Sequence, residues 1–185
     1  METLIEAMRR TLPKFPDEIL DAWLIPLSSK RSWPPAPNIY AMPDPSWAGI
    51  LLNRPLGYWQ SLTWTLESRP FDWTLLSSES AQLIRGLYEA YISGKTNSYS
   101  QHLGSAGKER FNLALDYLTE HGAFPEPIIV VEDAGRLTLV DGCHRATAFV
   151  AYKQMLDDPR LRANFNESVA PLRESQPMWV GRFGS

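Results

Sequence analysis

In the C-terminal half the chain reads Asp141-Gly142-Cys143-His144-Arg145, placing its only cysteine, one of its three histidines and an arginine in consecutive positions. These side-chain types can do chemistry together. A planar guanidinium fork matches phosphate oxygens, and an imidazole exchanges protons near neutral pH. A thiol becomes a nucleophile once ionised, and a carboxylate orients Mg²⁺ or the proton of an acceptor hydroxyl. The five residues fall where an alternating run, Arg136 to Val140, gives way to an apolar helical pattern from Cys143 to Leu156. A strand entering a helix through Asp-Gly exposes first-turn N–H groups that have no intrahelical partner and carry partial positive charge. Gly142 has no Cβ to obstruct a ligand's approach to the backbone. The pattern therefore describes a phosphate cradle made by Gly142, Cys143, His144 and Arg145, with possible covalent chemistry at Cys143.

Plainer roles stay open for the same residues. Asp141 suits an N-cap, Cys143 suits a small buried hydrophobe, and His144 and Arg145 suit a solvated pair. A local motif does not decide between these readings.

The elements around the turn are legible to different degrees. Pro127 to Val131 reads as a buried strand, Asp133-Ala-Gly135 as a turn, and Arg136 to Val140 as the partner strand of a hairpin. Upstream, Glu79 to Ser93 places Leu83, Leu87, Ala90 and Tyr91 on one helical face. Lys108 to Glu120 does the same with Phe111, Leu115 and Leu118, and His121-Gly122 stops it. Lys95 to Gly107 reads as a polar loop, Glu2 to Arg10 as a short helix, and Met178 to Phe183 as a last strand. Ala22 to Leu27 and Gly49 to Asn53 read as short strands. Residues 1–75 hold ten of the fifteen prolines and six of the seven tryptophans. Within them, Ser32 to Trp47 is too rich in proline for a long helix or a central strand, and its tryptophans predict an ordered segment wrapped on a core.

The run from Gly122 through Pro127-Ile-Ile-Val-Val131 and Leu137-Thr-Leu-Val-Asp-Gly-Cys-His-Arg145 to Phe149 resembles the core of the ParB/sulfiredoxin superfamily. The likeness lies in a helix ending in Gly, a Pro-Ile-x-Val strand, a hairpin, and a Gly-x-x-Arg turn opening a helix. It spans about a quarter of the chain, roughly Lys108 to Met155. It implies that the turn binds the phosphates of ATP or CTP with Mg²⁺, and that Asp141, His144 and Cys143 are catalytic candidates. Gly142 to Arg145 would hold the nucleotide and Asp141 the metal. Gly-Cys-His-Arg matches the sulfiredoxin signature, in which the cysteine is the nucleophile. Asp141 stands where sulfiredoxins have glycine, and that departure favours the kinase-like and ParB-like branches. Only about thirty residues follow Met155, too few for the DNA-binding and dimerisation regions of partition proteins. Arg54, Lys95 and Lys108 are weaker phosphate candidates, His102 and His121 read as loop and helix-end residues, and Glu132 and Asp133 could face the turn from the hairpin.

Composition sets outer limits. Hydrophobic content of 44% predicts a packed globular chain, and a net charge of −3 lends no support to duplex binding. One cysteine allows no internal disulfide, and no stretch has the roughly 18–20 apolar residues of a membrane span. A cytoplasmic protein is expected, with a nucleotide and an unknown small-molecule or protein acceptor as partners. The expected fold is α/β in the α+β sense: a small mixed sheet with packed helices over residues 76–185, and a Trp/Pro-rich extension over residues 1–75. The expected function is phosphoryl transfer or nucleotide hydrolysis. The alternatives are a sulfiredoxin-like thiol enzyme and a non-catalytic module that binds nucleotide or protein.

Overall fold

The computed structural model describes residues 2–28, 31–162 and 169–184, apart from the side chains of Ser100, His102, Leu103, Leu161 and Arg162. The fold is mixed α/β, built on one four-stranded sheet in the order β1-β4-β2-β3. β1 (Leu62–Arg69) runs antiparallel to β4 (Gln176–Phe183), β4 parallel to β2 (Ile128–Asp133), and β2 antiparallel to β3 (Arg136–Asp141). The hairpin between β2 and β3 turns at Ala134 and Gly135, both at positive φ (47° and 74°). Two consecutive left-handed residues suit a tight hairpin between twisted strands.

The central strand explains the layering. Ile128 and Val130 point into one core, and Ile129 and Val131 into a second. A strand apolar on both faces must be covered on both. On one face lie α6 (Ser78–Tyr91), α7 (Ser98–His121) and α8 (Cys143–Asp157), which contribute Leu87, Phe111, Leu118 and Phe149. On the other lies the N-terminal part of the chain. It comprises α1 (Leu4–Thr11), α2 (Asp17–Ile19), a π-helical turn (Leu20–Leu24), α3 (Ile25–Ser28), α4 (Pro45–Ala48) and α5 (Leu56–Gln60). Aromatic rings knit this layer together: Trp23 and Trp59 lie 5.0 Å apart, Phe15 and Trp64 5.0 Å, and Trp33 and Trp47 5.3 Å. The same part of the chain supplies β1 to the sheet. A last short helix, α9 (Pro159–Arg162), follows α8.

Three expectations are corrected. Ala22 to Leu27 is helical, not a strand. Leu20, Trp23 and Leu24 are buried at helical spacing, which a six-residue window does not reveal, and the wider π turn precedes Pro26, which has no amide to donate. Gly49 to Asn53 is a turn, with Leu52 and Asn53 at φ 51° and 53° and the Asn53 amide bonded back to the Ala48 carbonyl at 2.7 Å. The expected loop from Lys95 to Gly107 is helical from Ser98, broken at Gly104, whose φ is 58°. His102, expected in that loop, lies within the helix. The other expected helices and strands are present, shifted by a few residues at their ends.

Polar devices hold the edges. The Ser80 hydroxyl accepts the Leu139 amide at 2.8 Å and the Ser77 amide donates to the Leu137 carbonyl at 2.8 Å, which closes the outer edge of β3. Gln176 is buried with its donors and acceptor used: Oε1 accepts from the Phe124 amide at 2.8 Å, and Nε2 donates to the Gly122 and Arg173 carbonyls at 3.2 and 3.1 Å. Because the N-terminal layer is packed into the sheet, limited proteolysis is expected to leave residues 31–75 uncut while the fold persists. Trp59→Ala, at a fully buried position, should cost about 3–5 kcal/mol in urea unfolding. Early cleavage between Ser32 and Trp47 that left a folded C-terminal fragment would contradict this packing.

Candidate functional site

The turn is placed by three local constraints. First, the β2–β3 register slips by one: Val130 faces Leu139 but Ile129 faces Asp141, which leaves Val140 as the extra residue of a bulge. Opposed residues share a face of the sheet. The bulge therefore turns Asp141 to the side of Ile129, toward the N-terminal layer; in unbroken register Asp141 would lie on the helical side. Second, Gly142 is the N-cap of α8 at φ 93°, and a Cβ there would stand 2.7 Å from Ile128 Cγ2 and 3.1 Å from Arg145 Nε. Glycine is required by both the backbone angle and the close packing. Third, α8 begins without a side-chain cap, so Asp141 is not its N-cap.

Arg145 bridges two carboxylates instead of standing free. Its Nη2 donates to Asp141 Oδ2 at 2.7 Å, and its Nη1 to Glu126 Oε2 at 2.9 Å. Burial raises the Asp141 carboxyl above the ordinary range, against the pull of the Arg145 charge. Burial also pushes the Cys143 thiol up to about 11, and the Asp141 charge adds to the effect. His144 is 9% exposed, with its ring 5.9 Å from that of Tyr91. Burial brings its pKa down to about 4, aided by Arg110 and Arg145, so the ring is neutral at physiological pH. Among the described residues, His144 Nδ1, Arg145 Nε and the Tyr91 hydroxyl are buried polar atoms without a hydrogen-bond partner. Three such atoms around one turn set it apart, because buried polar groups are normally paired.

Beside the turn lies a cleft of about 660 Å³, in the size range of small-molecule sites. Asp141 to Arg145 form one end. Arg110 of α7 stands at the same end, exposed and in no ion pair among the described residues. Its charge reaches Asp141, Cys143, His144 and Tyr91. The remaining lining is apolar: Ala22, Trp23, Pro26 and Leu27 from the N-terminal layer, Leu113, Ala114 and Tyr117 from α7, and Pro125 from the loop before β2.

No protein-family model, curated protein or solved structure matches the chain.

The structure thus brings Asp141, Gly142, Cys143, His144 and Arg145 together at the end of a cleft. Arg54, Lys95 and Lys108 do not line it: Arg54 lies over the Tyr58 ring at 5.3 Å, and Lys95 pairs with Glu89 at 3.7 Å. Glu132 does not face the turn; Arg69 and Arg182 hold it at 3.1 and 2.6 Å. His121 ends α7 and stacks on Tyr117. Sequence reading missed Arg110, Glu126 and Tyr91 as neighbours of the turn, and missed the N-terminal wall. Arg110 lies one residue before the inward-facing Phe111 in an expected helix; only the packing of α7 on α8 reveals its place.

Two measurements check this electrostatic picture. Between pH 4 and 6.5 the unfolded chain, with an ordinary imidazole, binds a proton that folded His144 refuses. Stability should therefore rise with pH across that window and lose this dependence above it. The contribution approaches on the order of 3 kcal/mol at the acid end. His144→Gln should flatten that slope in urea titrations at several pH values, and an unchanged slope would contradict a neutral buried ring. Separately, Cys143 should be alkylated at pH 8 about 100-fold more slowly than in the urea-unfolded chain. Equal rates would show a free, ionisable thiol.

Proposed function

We propose that the cleft binds a nucleoside triphosphate, ATP or CTP, and that the protein transfers or hydrolyses its terminal phosphoryl group as a cytoplasmic enzyme of the ParB/sulfiredoxin type. The observation that carries this reading is the meeting of Arg110, a cation with no carboxylate partner among the described residues, with the uncapped first turn of α8 at one end of a cleft of suitable size. Polyphosphate oxygens suit such a place: backbone N–H groups, a helix dipole and a guanidinium fork all favour negative charge. His144 also lines the cleft, and a neutral imidazole still donates one N–H. Arg145 has a positioning role in this reading. Held between Asp141 and Glu126, it neutralises the carboxylate that would otherwise repel phosphate.

Bound nucleotide would supply a transferable phosphoryl group. The chain's own residues would do the rest. Arg110 and the α8 amides hold the phosphates, His144 donates to charge developing on a phosphate oxygen, and Asp141 takes the proton of the attacking hydroxyl. That hydroxyl belongs to water or to a small acceptor. Its oxygen bonds to the terminal phosphorus as the bond to the leaving diphosphate breaks. Burial raises the basicity of Asp141, which suits it to this step. Among the described residues no three His, Cys, Asp or Glu side chains converge on a metal-sized space. Mg²⁺ would therefore take most of its ligands from phosphate oxygens, with Asp141 as the protein's contribution. The high pKa of Cys143 favours a space-filling role over a sulfiredoxin-like nucleophile. No helix among the described residues is long and apolar enough to cross a membrane.

Arg110→Ala is expected to weaken nucleotide binding about 10–100-fold in calorimetry, matching the loss of a charge-assisted contact, and to leave the melting temperature nearly unchanged because the side chain is exposed. Wild type that binds no nucleotide at millimolar concentration would sink the nucleotide reading and leave the binding-module one. For turnover, Asp141→Asn should abolish activity and Cys143→Ser should keep most of it. The reverse pattern would assign the chemistry to the thiol. A wild type that binds nucleotide without turning it over would make the protein a non-catalytic binder.

A further inference from the structure

The walls of the cleft bear on which nucleotide it takes, a question that rests on the nucleotide reading above. The charged end of the cleft is formed by the first turn of α8, a fifteen-residue helix, with Arg110 of α7 beside it. Beyond that end the ligand meets two apolar walls. Leu113 and Tyr117 on α7 are 64% and 36% exposed. His121 stacks on Tyr117 with ring centroids 4.1 Å apart and planes at 9°, which fixes the ring's attitude. Facing them are Trp23 and Leu27 of the N-terminal layer.

Both walls are helical, so their backbone N–H and C=O groups are largely used within the helices and have little to offer a base edge. Pro26 has no N–H at all. The polar side-chain atoms on these walls are the Tyr117 hydroxyl and the Trp23 indole N–H, and Trp23 is only 2% exposed. A hydroxyl donates to an oxo group and accepts from an amino group alike. It therefore does not tell adenine from guanine.

We infer that the site holds its nucleotide by contact with the faces of the base, not by reading its edge, and that it takes purine nucleoside triphosphates without discriminating adenine from guanine. Cytosine and uracil bury less surface between the walls and are held less firmly. The phosphates lie at Arg110 and the α8 turn, and the base lies between Tyr117 and the segment carrying Trp23 and Leu27.

The test is calorimetry on the full chain with ATP, GTP, CTP, UTP and inorganic tripolyphosphate, each at one ionic strength. Dissociation constants for ATP and GTP should agree within about threefold, and those for CTP and UTP should be weaker by about fivefold or more, as expected when stacked area decides. Tripolyphosphate should bind more weakly than ATP by about tenfold or more. Leu113→Ser, a change at an exposed position, should narrow the ratio of ATP to tripolyphosphate affinity. If CTP binds more tightly than ATP, if adenine and guanine differ by more than about tenfold, or if tripolyphosphate equals ATP, this inference is overturned while triphosphate binding stands. If neither the nucleotides nor tripolyphosphate bind, both this inference and the nucleotide reading fall.

Discussion

The structure depends on one constraint, the burial of β2 on both faces. Ile128 to Val131 are four consecutive apolar residues, alternately committed to two cores. A single layer of helices would leave Ile129 and Val131 in water, together with Leu62 and Trp64 of β1, two strands away in the sheet. Fully burying each such side chain is worth about 1.5–3 kcal/mol, so the second layer is required for the fold. The N-terminal residues provide that layer, and their tryptophans supply large buried areas that short, proline-broken helices cannot obtain from aliphatic side chains alone. The cleft follows from the same arrangement. It lies where the N-terminal layer meets α7 at the end of the sheet, so covering the sheet and building the site are one event.

The bulge at Val140 links that layering to chemistry. Leu137 and Leu139 face the helical core, and strict alternation would send Asp141 after them. The slipped register turns it to the other face. Gly142 then redirects the chain into α8 in a conformation that leaves no room for a Cβ beside Ile128. Thus the residue that anchors the site touches the strand that anchors the fold. An added methyl at position 142 would press on both, and backbone strain at positive φ would compound it.

The parts of the fold that were legible are those where one local pattern dominates. The apolar run of β2, the turn before Gly135 and the spacing of α6 and α8 each carry a single period. Residues 22–27 were misread because six apolar-rich residues fit a strand as well as a helix, and only the burial of Leu20, Trp23 and Leu24 together resolves them. At the site, the identity of the turn residues was legible and their partners were not. Glu126 is nineteen positions from Arg145, and the contact joins a loop to a helix across the sheet end, which no short-range pattern encodes. The bulge was invisible for a related reason: an extra residue shows only against the partner strand.

If the turn binds phosphate as proposed, its charges explain how a carboxylate can sit beside the anion. Asp141 and Glu126 are both negative, Arg145 lies between them, and Arg110 lines the same cleft with no carboxylate partner among the described residues. These four side chains carry two charges of each sign, so a phosphate binding as proposed would meet a set that is neutral overall and not a repulsive one. Attraction then comes from the orientation of the parts. The first turn of α8 and Arg110 line the cleft, while Arg145 holds one oxygen of each carboxylate. The Asp141–Arg145 bond is only partly buried, and its worth to folding is modest. Its larger effect is directional, because it holds one carboxylate oxygen against the guanidinium and would keep that oxygen's charge off a ligand bound as proposed. In the proposed reading Arg145 would therefore serve the anion indirectly, and Arg110, from a different helix, would meet it directly.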